Sequence, residues 1–480
     1  MKNLLKNKVI SYISSRYLIY GIQFVSLMMV AEKLGPYNYG IWSFILLLLS
    51  YMMAINLGIG NSINVYLIQY KNNPEKVKDY AASAFAANGL VIVLLLGLSS
   101  IYIIRPDLFG KYDIGVLFYV AILIGILQYI NQIYTNIYRA RNYLFEVAFN
   151  QSVIPILILI SVIFATGTTL IYWLVGSYLL GNISSLALYF IRKGSPRGGK
   201  VRLQLIKNLF HKGFYLFVYN SAFTLILTTT SSFVSKYYSI DEYGLYSFSY
   251  TLGHSILLLM TAFSYIIFPK IIDKLYNASQ DNARSTIKIL RSNYVNLSYL
   301  LMYAALTIFP LFIKLFPKFE NSIIMLNMMT LAIILTTNSF GFNTYLIANN
   351  KEKLSALISI ISLILNIVIS YLVTGLIKMP YYLSVISMMM SYICFSLLCS
   401  WCAHKAIFKN TKGFFLSVFP IKSIIPYAFA FTLTLFNLNY LMSLVLLLFL
   451  ILNRESVNEI IQTIKQLIKK PQIIDITTNE

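Results

Sequence analysis

The sequence predicts an all-α protein that crosses a membrane about fourteen times. Of its 480 residues, 58% are apolar and 11% are charged, whereas soluble domains are about 45–50% apolar and about 25% charged. Long stretches without Lys, Arg, Asp or Glu alternate with short polar connections, and the mean hydropathy is +0.72. This composition excludes an ordinary soluble enzyme and indicates a polytopic membrane protein.

The charge-free stretches mark individual helices, because a spanning helix needs about 20 largely apolar residues. They are residues 17–31, 34–70, 80–104, 114–138, 147–191, 213–235, 243–269, 292–313, 321–350, 354–377, 379–404 and 423–453. The stretch 147–191 holds two spans with a break near Gly167, and 423–453 holds two more with a turn near Asn437. The predicted organisation is a six-helix lobe (1–191), a basic cytoplasmic linker (192–212), a second six-helix lobe (213–404), an additional helix pair (405–453) and a cytoplasmic tail (454–480).

The distribution of Lys and Arg places both termini in the cytoplasm. With fourteen spans, 29 of the 38 basic residues fall in inside segments and only 7 in outside segments, as the positive-inside rule requires. The net charge of +22 is therefore spread between spans, and no nucleic-acid partner is expected. Apolar residues recur at helical spacing in the tail, which predicts a short amphipathic helix on the inner membrane surface.

An internal repeat joins the two predicted lobes. Residues 39–44 read YGIWSF and residues 243–248 read YGLYSF, an offset of 204 residues. Six helices fit within this offset, and an even number of spans returns each lobe in the same orientation. The sequence therefore predicts parallel repeats related by an axis along the membrane normal, with the last two helices outside the repeat.

Polar side chains within spans one, two, seven and eight recur on one helix face. Because such groups are costly in hydrocarbon, they are expected to line a hydrated substrate path. The candidates are Arg16, Tyr20, Gln23, Asn56, Asn64, Asn220, Thr224, Thr228, Ser231, Tyr250 and His254. The alternative for each stripe is ordinary hydrogen bonding between helices, and for His254 a structural role. Lys33 and Lys236, at outer helix ends, are candidates for an outer gate or for solvated interface residues.

Arg16 is the candidate for contact with phosphate oxygens. A guanidinium at a cavity mouth suits phosphate recognition. Its position eight residues after Lys8 also allows snorkelling to the cytoplasmic interface.

The sequence offers no constellation for catalysis or for a bound cofactor. No Asp or Glu lies well inside a span, no metal-ligand spacing or GxSxG motif occurs, and Cys399 and Cys402 lie in an apolar span where buried thiols are expected. A cationic drug or Na⁺ would favour a buried carboxylate, whereas a neutral-to-basic cavity fits an anionic or sugar-rich cargo. We therefore expect a transporter without catalytic residues or cofactor.

Short motifs resemble those of Wzx-type polysaccharide repeat-unit flippases, in the multidrug/oligosaccharidyl-lipid/polysaccharide exporter superfamily. They are Leu34-Gly35 followed by Tyr39-Gly40 at the start of span two, and residues 56–60 (NLGIG) late in that helix. Family members often carry an acidic residue where this chain has Asn56, so an ion-coupling role at this position is not implied here. The resemblance extends to the span count and the two six-helix halves.

The resemblance implies export of an undecaprenyl-pyrophosphate-linked oligosaccharide, such as an O-antigen unit, across a bacterial cytoplasmic (inner) membrane. Our hypothesis for the mechanism is alternating access, with spans one and two facing spans seven and eight across a hydrated cavity. The implied partners are the lipid-linked glycan, membrane lipid and other membrane proteins of polysaccharide assembly. Two alternatives remain open: a drug or metabolite antiporter of the same superfamily, and a membrane-embedded polysaccharide polymerase.

Overall fold

The computed structural model describes the backbone of residues 8–56, 58–70, 72–141, 143–192, 198–276, 280–349, 351–407 and 413–469. Within these ranges it describes all side chains except those of residues 8–17, 106, 108, 144, 212, 215, 216, 219, 220, 222, 223, 258–274, 276, 280, 461 and 463–469. The described residues contain helices and connections but no β-strand. The predicted all-α fold class is confirmed.

Seventeen α-helices make up the described chain. They are α1 (Lys8–Ile55), α2 (Ile59–Gln69), α3 (Pro74–Ile104), α4 (Val116–Ala140), α5 (Leu144–Phe164), α6 (Gly167–Arg192), α7 (Leu203–Tyr237), α8 (Ile240–Tyr276), α9 (Gln280–Phe312), α10 (Ile323–Ile334), α11 (Phe342–Ala348), α12 (Glu352–Ser370), α13 (Ile386–Ile407), α14 (Phe414–Val418), α15 (Ile421–Leu435), α16 (Met442–Leu452) and α17 (Arg454–Lys469). Short 3₁₀ segments are Pro106–Phe109, Ile313–Leu315, Pro317–Ser322, Leu335–Ser339, Tyr381–Val385 and Asn439–Leu441, and a π-helical segment, Tyr371–Leu376, extends α12.

Helix α1 comprises predicted span one and the first part of predicted span two. The backbone breaks at Gly35 (φ 67°, ψ 172°), directly before Pro36. Glycine adopts this positive φ without a β-carbon penalty, and proline then starts the next helical segment. A second break follows Ile55, where Gly58 is left-handed (φ 79°) and α2 continues in place of the rest of span two.

Each predicted span coincides with a helix or a helix segment. Within the described chain, nine segments are individually long and apolar enough to cross a membrane, and α16 with the start of α17 forms a tenth candidate bent by 85°. Helices α7 and α8 are 35 and 37 residues long and cover predicted spans seven and eight. Helix α17 occupies the residues for which the sequence predicts an amphipathic surface helix.

The chain divides into two compact units. Unit 1 is Met1–Thr228 with Ser239–Gly244, and unit 2 is Thr229–Tyr238 with Leu245–Glu480. Helices α7 and α8 therefore each contribute to both units. The helix that contains predicted span seven already begins at Leu203, within the segment that the sequence assigns to a linker.

The linker residues after 197 lie against the start of α3. Asp79 accepts a hydrogen bond from the Lys200 backbone amide (2.8 Å) and forms an ion pair with Arg202 (2.9 Å). A β-carbon at Gly199 would overlap with the Lys78 carbonyl group. This glycine therefore permits close backbone packing of the linker on α3.

The two copies of the repeated motif contact each other reciprocally within unit 1. A β-carbon at Gly40 would overlap with the carbonyl oxygen of Ile240, and one at Gly244 with the carbonyl oxygen of Pro36. Residues 36 and 240, like 40 and 244, are separated by the repeat offset of 204. Small residues at helix contacts in membranes allow the backbones to approach closely. The repeated glycine is therefore explained by packing.

The interior of each unit is held by polar contacts between helices. In unit 1, Asn131 Nδ2 donates to Asn182 Oδ1 (2.9 Å), which joins α4 to α6. In unit 2, Asn366 Nδ2 donates to Thr230 Oγ1 (3.1 Å), which joins α12 to α7. Such bonds satisfy groups that lipid cannot solvate.

Candidate functional site

A polar pocket in unit 1 is built around the break in span two. Gly58 has a left-handed conformation, and a β-carbon there would lie 2.5 Å from Phe217 Cβ and 2.7 Å from the Gly213 carbonyl oxygen. The absent β-carbon thus lets α7 pack directly on the turn between α1 and α2. This close approach places polar residues of spans two and seven in one pocket.

Helix α4 completes the pocket with an amide pair. Asn56, at the end of span two, donates from Nδ2 to Gln132 Oε1 on α4 (2.6 Å). Gly60 makes room for this side chain, because a β-carbon there would lie 2.5 Å from Gln132 Cδ. One turn further along α4, Asn136 Nδ2 donates to the Gly60 carbonyl oxygen (2.8 Å). The span-two break and α4 are therefore joined by side-chain amides.

The pocket has a volume of about 200 Å³. Its lining residues are Ser50, Met53, Ala54, Asn56, Gly58, Gly60, Asn61, Gln132, Phe217, Ser221, Thr224, Leu225 and Thr228. Among the described residues, none with an ionisable side chain lines it. The pocket thus presents amides, hydroxyls, one aromatic ring and the apolar side chains of Met53, Ala54 and Leu225.

One buried acceptor among the lining residues lacks a hydrogen-bond partner in the described chain. Asn56 is 3% exposed, and its Oδ1 is buried without a hydrogen-bond partner in the described chain. Thr228 Oγ1, in contrast, donates to the Thr224 carbonyl oxygen (2.9 Å) within α7. A buried amide oxygen without a partner costs about 1–3 kcal/mol, which a donor on a bound molecule would recover.

The structure brings together three of the residues selected from sequence: Asn56, Thr224 and Thr228 line the pocket. The partly buried residues Tyr20, Gln23 and Asn64 belong to unit 1 but do not line it. The side chains of Arg16 and Asn220 lie outside the described residues.

The remaining candidates in spans seven and eight belong to unit 2. Ser231 Oγ donates to Tyr246 Oη (3.4 Å), and the rings of Tyr250 and His254 have centroids 5.3 Å apart. These contacts connect residues of unit 2 and do not involve the pocket of unit 1.

The two gate candidates make different local contacts. Lys33 Nζ donates to the Val162 carbonyl oxygen at the end of α5 (2.5 Å), which satisfies a helix terminus in unit 1. Lys236, in unit 2, is exposed and lies 5.3 Å from the centroid of the Tyr237 ring. A gating role for either lysine stays a prediction.

The sequence analysis did not select Gln132, which joins α4 to Asn56 after the end of α1. A signal was present: the charge-free stretch of span four contains the amides Gln128, Asn131, Gln132 and Asn136 within nine residues. Asn61 and Ser221 were also missed. Asn61 lies in the first turn of α2, so its contribution to the pocket depends on the backbone break at Gly58.

No cluster of three or more His, Cys, Asp or Glu side chains that could hold a metal ion occurs in the described chain. Cys399 is buried and Cys394 and Cys402 are partly buried, all as free thiols.

Residues 5–275, more than half of the chain, match the family described as "Polysaccharide biosynthesis protein". No curated protein sequence matches the chain.

The fold is shared with solved transporters and flippases. An inward-facing multidrug resistance MATE family transporter of the MOP superfamily aligns with a TM-score of 0.63 at 11% identity, over 82% of this chain and 96% of that chain. The lipid II flippase MurJ, in an inward closed conformation, aligns with a TM-score of 0.61 at 14% identity, over 95% of this chain and 99% of that chain. An outward-facing MATE family transporter aligns with a TM-score of 0.56 at 10% identity, over 83% and 93%.

At these identities the likeness concerns the fold, while the family match concerns the sequence itself. The chain is a multi-pass membrane protein that belongs to the family described as "Polysaccharide biosynthesis protein".

Proposed function

We propose that the protein is a flippase that moves an undecaprenyl-pyrophosphate-linked oligosaccharide, such as an O-antigen repeat unit, from the cytoplasmic to the outer leaflet of a bacterial inner membrane. Its family and its MurJ-like fold support transport of a lipid-linked glycan. The single observation that carries the proposal is the neutral, amide-rich pocket of unit 1. The protein would act without catalytic residues.

The chemistry of the pocket suits sugar hydroxyls. An amide side chain both donates and accepts hydrogen bonds, and so does a hydroxyl group. Asn56 Oδ1 supplies a buried acceptor, Gln132 a nearby amide, and Phe217 an apolar surface beside them. Because no ionisable side chain lines the pocket in the described part of the chain, it favours a neutral glycan head group over a charged drug.

The mechanism we propose is alternating access, in which the two lobes rock while the polyprenyl tail stays in lipid. The anionic pyrophosphate would be met by Arg16 on the cytoplasmic side. An inside-negative potential favours outward anion movement by about 2.3 kcal/mol per charge per 100 mV. The field could then help drive export without a dedicated proton site.

Deletion of the gene tests the proposal directly. We expect lipid-linked repeat units to accumulate on the cytoplasmic leaflet and surface glycan to disappear, with both restored by the wild-type gene. Loss of a polymerase would instead leave single repeat units exported. Unchanged glycan export in the deletion strain would contradict a flippase and favour the antiporter.

The Arg16 role has its own test. Arg16→Ala should abolish glycan display while the protein still inserts, because a cation for the pyrophosphate is lost, and Arg16→Lys should keep part of the display. The measurement is surface glycan against the amount of protein in the membrane fraction. Normal display from well-expressed Arg16→Ala would leave snorkelling as the explanation.

A drug or metabolite antiporter remains the second candidate, because the MATE family transporters share the fold. The neutral pocket argues against it for cationic substrates, which are bound best by a carboxylate.

A further inference from the structure

A second cavity lies wholly within unit 2, at one end of its helices. Its volume is about 410 Å³, within the range of about 300–1,000 Å³ typical of small-ligand sites. The cavity is lined by the first turns of α9, the start of α15, the turn between α16 and α17, and residues of α11, α13 and α14, among them His404. The positive-inside topology predicts that this end faces the cytoplasm.

A buried arginine forms the floor of the cavity. Arg291 is 8% exposed, and its guanidinium donates to the carbonyl oxygens of Asn338 (2.5 Å), Phe340 (2.9 Å) and Val418 (3.2 Å). Its guanidinium carbon also lies 4.3 Å from the centroid of the Phe342 ring. These bonds use three of the five N–H donors of arginine, so two are left for a bound group.

Three further cations surround this floor. Arg284 and Lys288 lie two turns and one turn, respectively, before Arg291 on the same face of α9, and Lys422 on α15 also lines the cavity. All three are exposed, while no acidic residue lines the cavity in the described part of the chain. The backbone carbonyls that bind Arg291 orient its charge but do not neutralise it. The cavity therefore concentrates positive potential in a partly desolvated space.

The elements around the cavity also expose apolar side chains. Leu416 lines the cavity and is 52% exposed. Phe415 precedes it on α14, and Ile421 and Ile425 are exposed on α15. In a membrane protein such side chains face lipid. A molecule with a phosphate at one end and a hydrocarbon chain at the other matches both features of this region.

We propose that the cavity binds the phosphate group of an anionic lipid of the cytoplasmic leaflet. Arg291 and the cations of α9 and α15 would hold the phosphate oxygens, since a guanidinium matches phosphate geometry and ammonium groups add charge. The acyl chains would lie along the exposed apolar side chains of α14 and α15. The assignment is independent of the transported substrate, because it rests on residues of unit 2 alone.

Native mass spectrometry of the purified full-length protein tests the proposal. The protein receives equimolar phosphatidylglycerol and phosphatidylcholine, and bound lipid is counted for the wild type, Lys288→Gln/Lys422→Gln and Lys207→Gln/Lys351→Gln. The last pair removes the same charge from exposed positions outside the cavity. We expect the wild type and this control to retain phosphatidylglycerol preferentially. The cavity variant should retain at least fivefold less bound phosphatidylglycerol than the wild type.

A second arm distinguishes lipid phosphate from free phosphate. Millimolar inorganic phosphate should leave the bound phosphatidylglycerol unchanged if the acyl chains contribute. Displacement of lipid by free phosphate would overturn the lipid assignment. Equal retention of both lipids by the wild type, or equal loss in the cavity variant and the control, would overturn the site itself. None of these readouts depends on glycan export.

Discussion

The pocket of unit 1 and the basic cavity of unit 2 differ in how their buried polar groups are held. In the pocket, Asn56 and Gln132 share one hydrogen bond, and Asn56 Oδ1 has no partner in the described chain. In the cavity, Arg291 is fixed by three backbone carbonyl oxygens from three positions. The amides of the pocket are thus available to a ligand, whereas Arg291 also belongs to the scaffold.

The hydrogen-bond partners of a buried polar side chain therefore indicate whether it stabilises the fold or can bind a ligand. A group satisfied by backbone contributes to stability, and its loss leaves carbonyl groups without donors. A buried atom without a partner adds no such stability and keeps its hydrogen-bonding capacity for a ligand. Variants that change the free energy of unfolding and glycan export separately test this distinction.

The largest effect is expected for Arg291→Gln. Glutamine cannot serve all three carbonyl oxygens, and hydrogen bonds to charged groups contribute about 1.5–3 kcal/mol each, so the free energy of unfolding should fall by about 2–4 kcal/mol. Thermal unfolding of the detergent-solubilised protein measures this loss. Lys288→Gln removes the same charge from an exposed position and should leave Tm nearly unchanged. Equal Tm values for both variants would remove the scaffold role of Arg291.

A smaller stability effect but a clear functional one is expected for Gln132→Leu. The substitution keeps approximate volume but removes the partner of Asn56, so substrate hydroxyls lose a preorganised amide. We expect glycan export to fall about tenfold, which corresponds to about 1.4 kcal/mol and lies within the cost of an unmade buried hydrogen bond. Because Asn56 Nδ2 loses its acceptor, Tm should also fall, but by less than in Arg291→Gln.

Gln128→Leu is the matched control for this prediction. Gln128 lies one turn earlier on α4 and does not line the pocket. Its buried Oε1 has no partner in the described chain, whereas Gln132 Oε1 accepts from Asn56. Export should therefore remain close to wild type. If both leucine variants lose export equally, the effect belongs to α4 as a whole and the pocket assignment fails.

The smallest effect is expected for Asp79→Asn, which tests a charge contact outside both cavities. Arg202 is 60% exposed in its ion pair with Asp79, so water screens the attraction and the stability loss should stay below about 1 kcal/mol. The asparagine can still accept from the Lys200 amide. Limited trypsin digestion should cut faster at Arg202 than in the wild type. A destabilisation as large as that of Arg291→Gln would contradict the distinction between exposed and buried cations.

Much of the fold could be predicted from the sequence because each span is a local property. A helix in hydrocarbon must satisfy its own backbone hydrogen bonds, so apolar length alone marks it. Gly40 and Gly244 could be paired by their offset, although their reciprocal packing needed the structure. The start of α7 at Leu203 was not predicted, because polar residues such as Lys207 do not prevent a helix from extending beyond the membrane.

The candidate site was predicted only in part. Asn56, Thr224 and Thr228 stand out because polar residues within an apolar span are rare. Gln132 joins them through the backbone break at Gly58 and the room left by Gly60, which are features of packing between distant segments. Arg291 was counted only as one of the positive charges at a cytoplasmic end, since charge counting does not separate a solvated cation from a buried one.

The amino-acid sequence is enough to establish the all-α membrane architecture and its long charge-free segments, and it predicts fourteen spans and a parallel repeat. These properties follow from how each segment is solvated by lipid. Three findings depend on the packing of distant segments. Asn56 donates to Gln132, and α7 contributes to both compact units. Arg291 is held by carbonyl oxygens in a cavity that three exposed cations also line. The reason is physical: hydrophobicity acts residue by residue, whereas a binding site depends on which distant backbones can approach each other closely enough to share their polar groups.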